Sequence, residues 1–205
     1  MINNDTLIEV ESQKKIADKL LELCENLDPT CILAGGAPRD WYFGNPAKDL
    51  DVFMHFRSDL SNSRVLRLLK KHISSELKPL CFSAEGLNYE LNPNIQVVYE
   101  FWFEGIKAQI VLLKKPTWGI VEEFAFNICQ AWYKNKKCNY THDFYFAVDK
   151  KIIVKTGKLY ACTQTYSDRI RKKFSDFKFV ETPEDFYRAS VYQNTQDRWN
   201  NGGKV

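Results

Sequence analysis

Two aspartates one residue apart, Asp49 and Asp51, follow a diglycine, Gly35-Gly36, inside a stretch of 17 residues. Carboxylates at that spacing can share a pair of divalent cations roughly 3.5 to 4 Å apart, the separation used for in-line phosphoryl displacement. Hard oxygen ligands favour Mg²⁺ or Mn²⁺ over zinc. A glycine pair ahead of a helix lets an anionic phosphate approach backbone amides closely. The chemistry these residues suit is the handling of a metal-bound triphosphate.

The neighbouring residues must hold this arrangement. Cys31, Ile32, Leu33 and Ala34 form a short apolar run that reads as a buried strand ended by Gly35-Gly36. Residues 37–43 read as a helix, with Pro38 in the first turn and Gly44 as its C-terminal stop. From Asp49 to Phe56 the chain alternates like a strand. Period two puts Asp49 and Asp51 on one face and Leu50, Val52 and Met54 on the other.

This stretch resembles the head domain of the polymerase-β-type nucleotidyltransferases, most closely CCA-adding tRNA nucleotidyltransferases and bacterial-type poly(A) polymerases. Their signature is Gly-Gly-x-Val-Arg-Asp-x-Leu-Leu-Gly, four more residues, then Asp-x-Asp. Gly35, Gly36, Arg39, Asp40, Gly44, Asp49 and Asp51 match it without an insertion. Pro38 replaces the Val, Tyr42 and Phe43 replace the paired Leu, and Met54 stands where a Thr is common. The resemblance implies an α+β fold, a mixed and mostly antiparallel β-sheet flanked by α-helices. It also implies that Gly35 and Gly36 contact the triphosphate, that Asp49 and Asp51 bind Mg²⁺ or Mn²⁺ and are catalytic, and that Arg39 and Asp40 order the loop and nucleotide. Residues 121–133 resemble the family's second motif, Arg-Arg-Asp-Phe-Thr-Ile-Asn-Ala, and its Phe-Asp-(apolar)-Asn/Asp-x-Cys form in divergent phage and viral members. Here Ala125 stands at the Asp and Glu122-Glu123 at the Arg pair.

The superfamily places a third acid on a later strand beside the aspartates. The matching strand here is 106–113, and its residue at that position is Gln109. A glutamine can coordinate or hydrogen-bond but cannot serve as a general base. Glu100 and Glu104 are the alternative acids, although Glu104-Gly105 reads as a hairpin turn between strands 95–103 and 106–113.

Elsewhere, residues 11–27 and 59–72 read as amphipathic helices, the first with Ile16, Leu20, Leu23 and Leu27 at helical spacing. Residues 116–123 read as a short helix, 127–133, 144–148 and 151–154 as strands, and the tail from Thr165 as helical, with a helix start at Thr182-Pro183-Glu184-Asp185 and fraying from Trp199. The expected organisation is a nucleotidyltransferase-like domain over 1–160 and a packed helical segment over 161–205. The length leaves no room for the helical domains that follow the head in a CCA-adding enzyme, so programmed CCA addition is not expected.

The net charge is +3, but residues 134–178 carry 12 Lys/Arg against 4 Asp/Glu. Lys134, Lys136, Lys137, Arg169, Arg171, Lys172 and Lys173 would suit a phosphate backbone, with Trp132, Tyr133 and Tyr140 nearby for stacking; the alternative is a solvated basic face. The six cysteines, Cys24, Cys31, Cys81, Cys129, Cys138 and Cys162, show no zinc spacing and read as reduced thiols. His55 and His72 read as structural. No apolar stretch approaches a bilayer span and the N-terminus is not a signal peptide, so the expected location is a cytoplasm, that of the host for a phage protein.

Two functions follow from the resemblance. One is a metal-dependent nucleotidyltransferase that moves a nucleoside monophosphate from an NTP to a hydroxyl of RNA, a small molecule or a protein. The other is a degenerate relative that binds nucleic acid or a host defence protein, motivated by Gln109 and Ala125.

Overall fold

A computed structural model describes residues 4–56, 60–79, 94–117, 119–156 and 164–181. The expectations for the helix start at Thr182, the frayed end, Cys81 and Cys162 lie outside the described residues.

The chain opens with helix α1 (Asn4–Glu25). Its buried stripe is Val10, Gln13, Ala17, Leu20, Leu21 and Cys24, one residue round from the predicted one, so Leu23 is only half-buried. Strand β1 (Ile32–Ala34), helix α2 (Gly36–Tyr42) and strand β2 (Asp49–His55) follow, and then helix α3 (Asn62–His72). Strands β3 (Lys78–Pro79), β4 (Ile95–Phe103) and β5 (Ile106–Leu113) come next, β4 and β5 with the predicted bounds. Their turn is Glu104-Gly105, both at positive φ (45° and 82°), as a two-residue hairpin turn requires. Strands β6 (Ala131–Lys134) and β7 (Lys137–Tyr140) form a second hairpin.

These strands make one seven-stranded sheet in the order β3-β4-β5-β2-β1-β6-β7, antiparallel except for the central β2–β5 pair. The fold is α+β with a mixed, mostly antiparallel sheet. Helices α1 and α3 cover the face carrying Leu50, Val52 and Met54 of β2 and Ile110 and Leu112 of β5. On the opposite face Phe53, Val98 and Val111 pack under Ile120, Val121 and Phe124. Beyond Phe53 toward the start of β2, that face carries Asp51 and Asp49.

Four sequence expectations need correction. Residues 144–148 are not a strand but part of helix α4 (His142–Lys150): Thr141 Oγ1 accepts from Phe144 N at 3.1 Å, capping the helix, and Phe144 and Ala147 are buried one turn apart. The strand expected over 127–133 begins only at Ala131, because Asn127–Cys129 is a 3₁₀ turn. There the buried Asn127 Oδ1 accepts from Ile128 N and Val154 N, both at 2.9 Å. The helix expected over 116–123 is a 3₁₀ turn at Ile120–Glu123. Within the described residues 164–181 the tail is helical through α5 (Gln164–Lys173), and strand β9 (Lys178–Val180) then pairs in parallel with β8 (Ile152–Val154). Ile170 and Phe174 join Phe126, Phe144 and Ile153 in a second apolar cluster.

Candidate active site

The diglycine and the two aspartates meet at one end of the sheet. β1 pairs with β2 through Leu33 opposite Val52. One step along that antiparallel register brings Ala34 level with Asp51, and the glycine turn follows at once. Gly35 has φ 88° and ψ −113°, a conformation open only to glycine. Its amide donates to Ala131 O at 2.9 Å. The amides that open α2 after it are those of Gly36 and Ala37. A Cβ on Gly36 would meet nothing closer than Arg39 Nη2, at 3.8 Å.

The chain enters β2 under control of α1. Gln13, buried in α1, accepts from Ala47 N (2.7 Å) and Trp41 Nε1 (3.0 Å) and donates to Ala47 O (3.0 Å). Both hydrogen-bonding groups of one amide side chain thereby fix the loop two residues before Asp49.

Arg39 and Asp40 are buried within α2. The buried Arg39 guanidinium donates to Asp40 Oδ1 at 2.8 Å and to Cys129 Sγ at 3.2 Å, and lies 5.8 Å from the Phe174 ring centroid. Asp40 Oδ2 is paired with Lys173 Nζ at 2.6 Å. Burial opposes the charge on Arg39, but Cys129, Asp40 and Tyr166 together keep it firmly protonated. Burial, with Cys129 close by, pushes the Tyr166 hydroxyl well above its ordinary value. These groups clamp α2 to α5 and to the turn at residue 129.

Across β2 and β5 the register sets Asp49 beside Lys107 and Asp51 beside Gln109; across β5 and β4 it sets Lys107 beside Trp102 and Gln109 beside Glu100. Glu100 Oε2 accepts from Lys107 Nζ at 2.5 Å and from Gln109 Nε2 at 3.4 Å. Gln109 therefore lies beside Asp51, and Glu100 lies one strand beyond it, held by a lysine. Glu104 is corrected as a candidate: it sits in the hairpin turn and pairs with Lys19 of α1 at 2.8 Å. Lys107 was not foreseen, although the same alternation that singles out Gln109 also selects the residue two positions earlier. Among the described residues no three His, Cys, Asp or Glu side chains group as a metal site. Two aspartates beside a carboxamide remain an all-oxygen donor set, suited to one hard cation such as Mg²⁺ or Mn²⁺.

The basic residues do not form one surface. Lys134 is committed to Glu25 (2.5 Å) and to Pro29 O (3.0 Å). Lys136 and Lys137 are exposed at the tip of the β6–β7 hairpin. β1 pairs antiparallel to β6, so that tip lies at the opposite end of β1 from the diglycine. Lys173 is paired with Asp40, Arg171 with Glu181, and Arg169 lies 4.9 Å from the Tyr166 ring centroid. Lys172 is exposed on α5. An open cleft of about 340 Å³ lies between α1 and the β4–β5 hairpin, lined by Gln13, Ile16, Ala47, Trp102, Glu104 and Lys107 among others; neither aspartate lines it.

No protein-family model and no curated protein matches the chain. Solved structures do. A CCA-adding enzyme in complex with ATP matches over 95% of this chain and 47% of its own, at 15% identity and a TM-score of 0.52. A tRNA-processing enzyme in an apo form matches over 87% and 47%, at 11% identity and a TM-score of 0.55. The chain shares its fold with these enzymes. The chain spans about half the length of the solved structures it matches. No helix among the described residues is long and apolar enough to cross a membrane.

Proposed function

We propose that this protein is a metal-dependent nucleotidyltransferase that moves a nucleoside monophosphate from an NTP to a hydroxyl acceptor. The observation that carries the reading is the meeting of Asp49 and Asp51 with the Gly35-Gly36 turn on the open end of a nucleotidyltransferase sheet. The likeness to a CCA-adding enzyme that holds ATP supports the nucleotide as donor. The Gly36 and Ala37 amides at the start of α2 suit the triphosphate tail. Asp49 and Asp51 would hold Mg²⁺ or Mn²⁺, which when bound neutralises phosphate charge. The acceptor oxygen bonds to the α-phosphorus as the α–β anhydride bond breaks; pyrophosphate departs and the hydroxyl proton passes to water. Positioning and charge stabilisation supply most of the rate.

RNA is the acceptor we favour. Trp102 stands in the same register row as Lys107 and Asp49 and is 65% exposed, a surface on which an unpaired base can stack. The likeness to a tRNA-processing enzyme agrees with this. The test is transfer of labelled NTP to total RNA, protein and small acceptors with Mg²⁺ or Mn²⁺. Asp49→Ala and Asp51→Ala should each lower incorporation by at least about a hundredfold while leaving the circular dichroism spectrum unchanged. Wild-type transfer by the double variant would reject the mechanism.

A second reading is carried by Gln109 at the register position of the third acid: a nucleotide-binding relative without transfer, acting on a nucleic acid or a host protein. Calorimetry showing Mg-NTP binding, with no transfer to any acceptor, would favour it.

A further inference from the structure

The two residues that β5 sets beside the aspartates are Lys107 and Gln109. Neither is an anion. Two divalent ions in one site carry four positive charges and are held together by bridging and flanking carboxylates. Here the flanking carboxylate is Glu100, and its Oε2 already accepts from Lys107 at 2.5 Å and from Gln109 at 3.4 Å. A second cation would have to settle next to an ammonium that the fold has built in.

We infer that the site holds one divalent ion, and that Lys107, fixed by Glu100 beside Asp49, supplies to the nucleotide phosphates the positive charge that a second ion would bring. This inference rests on the nucleotidyltransferase reading above. An ammonium carries three donors and no acceptor. One is occupied by Glu100, and the others are available to phosphate oxygens. Lysine binds phosphate as a compact point charge and does not need the planar fork of arginine. Glu100 and Lys107 are both about one-third exposed, 32% and 35%, so the pair is anchored yet reachable from solvent. Gln109 is 6% exposed and donates to Glu100, which fixes the lysine's partner from the other side. Asp49 and Asp51, left with two negative charges between them, match one divalent ion.

The full chain crystallised with Mn²⁺ and α,β-methylene-ATP, and examined by manganese anomalous scattering, should show one peak per nucleotide. Two peaks would overturn the inference and leave the proposed function standing. Failure of the nucleotide to bind at all would reject the proposed function itself. In calorimetry at saturating Mn²⁺, Lys107→Met should weaken binding of the analogue about tenfold, the scale of a lost charge-assisted hydrogen bond. Lys107→Arg should retain the wild-type affinity. Undiminished binding by a folded Lys107→Met variant would overturn the role of the lysine.

Discussion

Gly35 and Gly36 are neighbours held by different constraints. Gly35 sits at φ 88° and ψ −113°, which a side chain cannot adopt without strain, so Gly35→Ala should lower unfolding stability by about 1–3 kcal/mol in urea titrations. At Gly36 a methyl would find only ordinary contact, 3.8 Å from Arg39 Nη2. Gly36→Ala should therefore leave the urea midpoint within about 0.5 kcal/mol of wild type and weaken NTP binding, because the methyl would stand where a phosphate approaches the helix start. Equal destabilisation by both substitutions, or undiminished NTP binding by the second, would contradict this division. Trp102 permits a similarly separable test. Trp102→Ala removes an exposed ring that holds no core position, so transfer to RNA should fall about five- to a hundredfold, the cost of one lost stacking contact of about 1–3 kcal/mol, with NTP affinity and thermal midpoint unchanged. The residue types at these sites were legible from the motif. The burial of Arg39 and Asp40 was not, because their partners Cys129 and Lys173 lie about 90 and 130 positions away in the chain.

At the scale of elements, the alternation in β2 and the glycine turn between β4 and β5 were readable because both depend on neighbours within a few residues. The α4 segment was not. His142–Lys150 contains Phe-Tyr-Phe-Ala-Val, a run rich in strand-favouring residues, yet it is helical because Thr141 caps it and its buried positions face a neighbouring cluster. Thr141 Oγ1 also donates to Gln130 Oε1 at 2.8 Å, tying the start of the helix to the residue that precedes β6. Thr141→Ala removes both bonds and should cost about 1–2 kcal/mol, measured as a lowered denaturant midpoint; Thr141→Ser should recover most of it. A neutral Thr141→Ala would show that packing alone sets this helix.

Over the whole molecule, the sheet is held between α1 and α3 on one side and the 120–124 segment on the other. The thiols report on that core. Cys24, Cys31 and Cys129 are buried and free. Burial pushes Cys31 from an ordinary 9.0 up to about 12, and Cys24 is raised in the same direction. Because the folded state disfavours the thiolate, the stability from Cys31 is complete below pH 9.0 and is lost as the pH rises through about 12. Thermal midpoints should therefore hold near neutral pH and fall across that alkaline range, and Cys31→Ala should flatten the fall. A flat alkaline profile in the wild-type protein would mean that Cys31 is not shielded as the structure shows. Burial of both thiols also predicts slow alkylation at neutral pH.

The sequence by itself set the glycine turn ahead of the paired aspartates, because the spacing of Gly35, Gly36, Asp49 and Asp51 is a local property of a strand, a turn and a strand. It also pointed to Gln109 as the residue beside the aspartates, where the register sets it next to Asp51. Only the tertiary structure decided that Glu100 is bound to Lys107, that Glu104 turns to α1, and that the basic run is divided between a hairpin tip and α5. Each of those outcomes depends on cross-strand register or on contacts between distant segments, and side-chain periodicity along one strand cannot specify what the next strand brings alongside it.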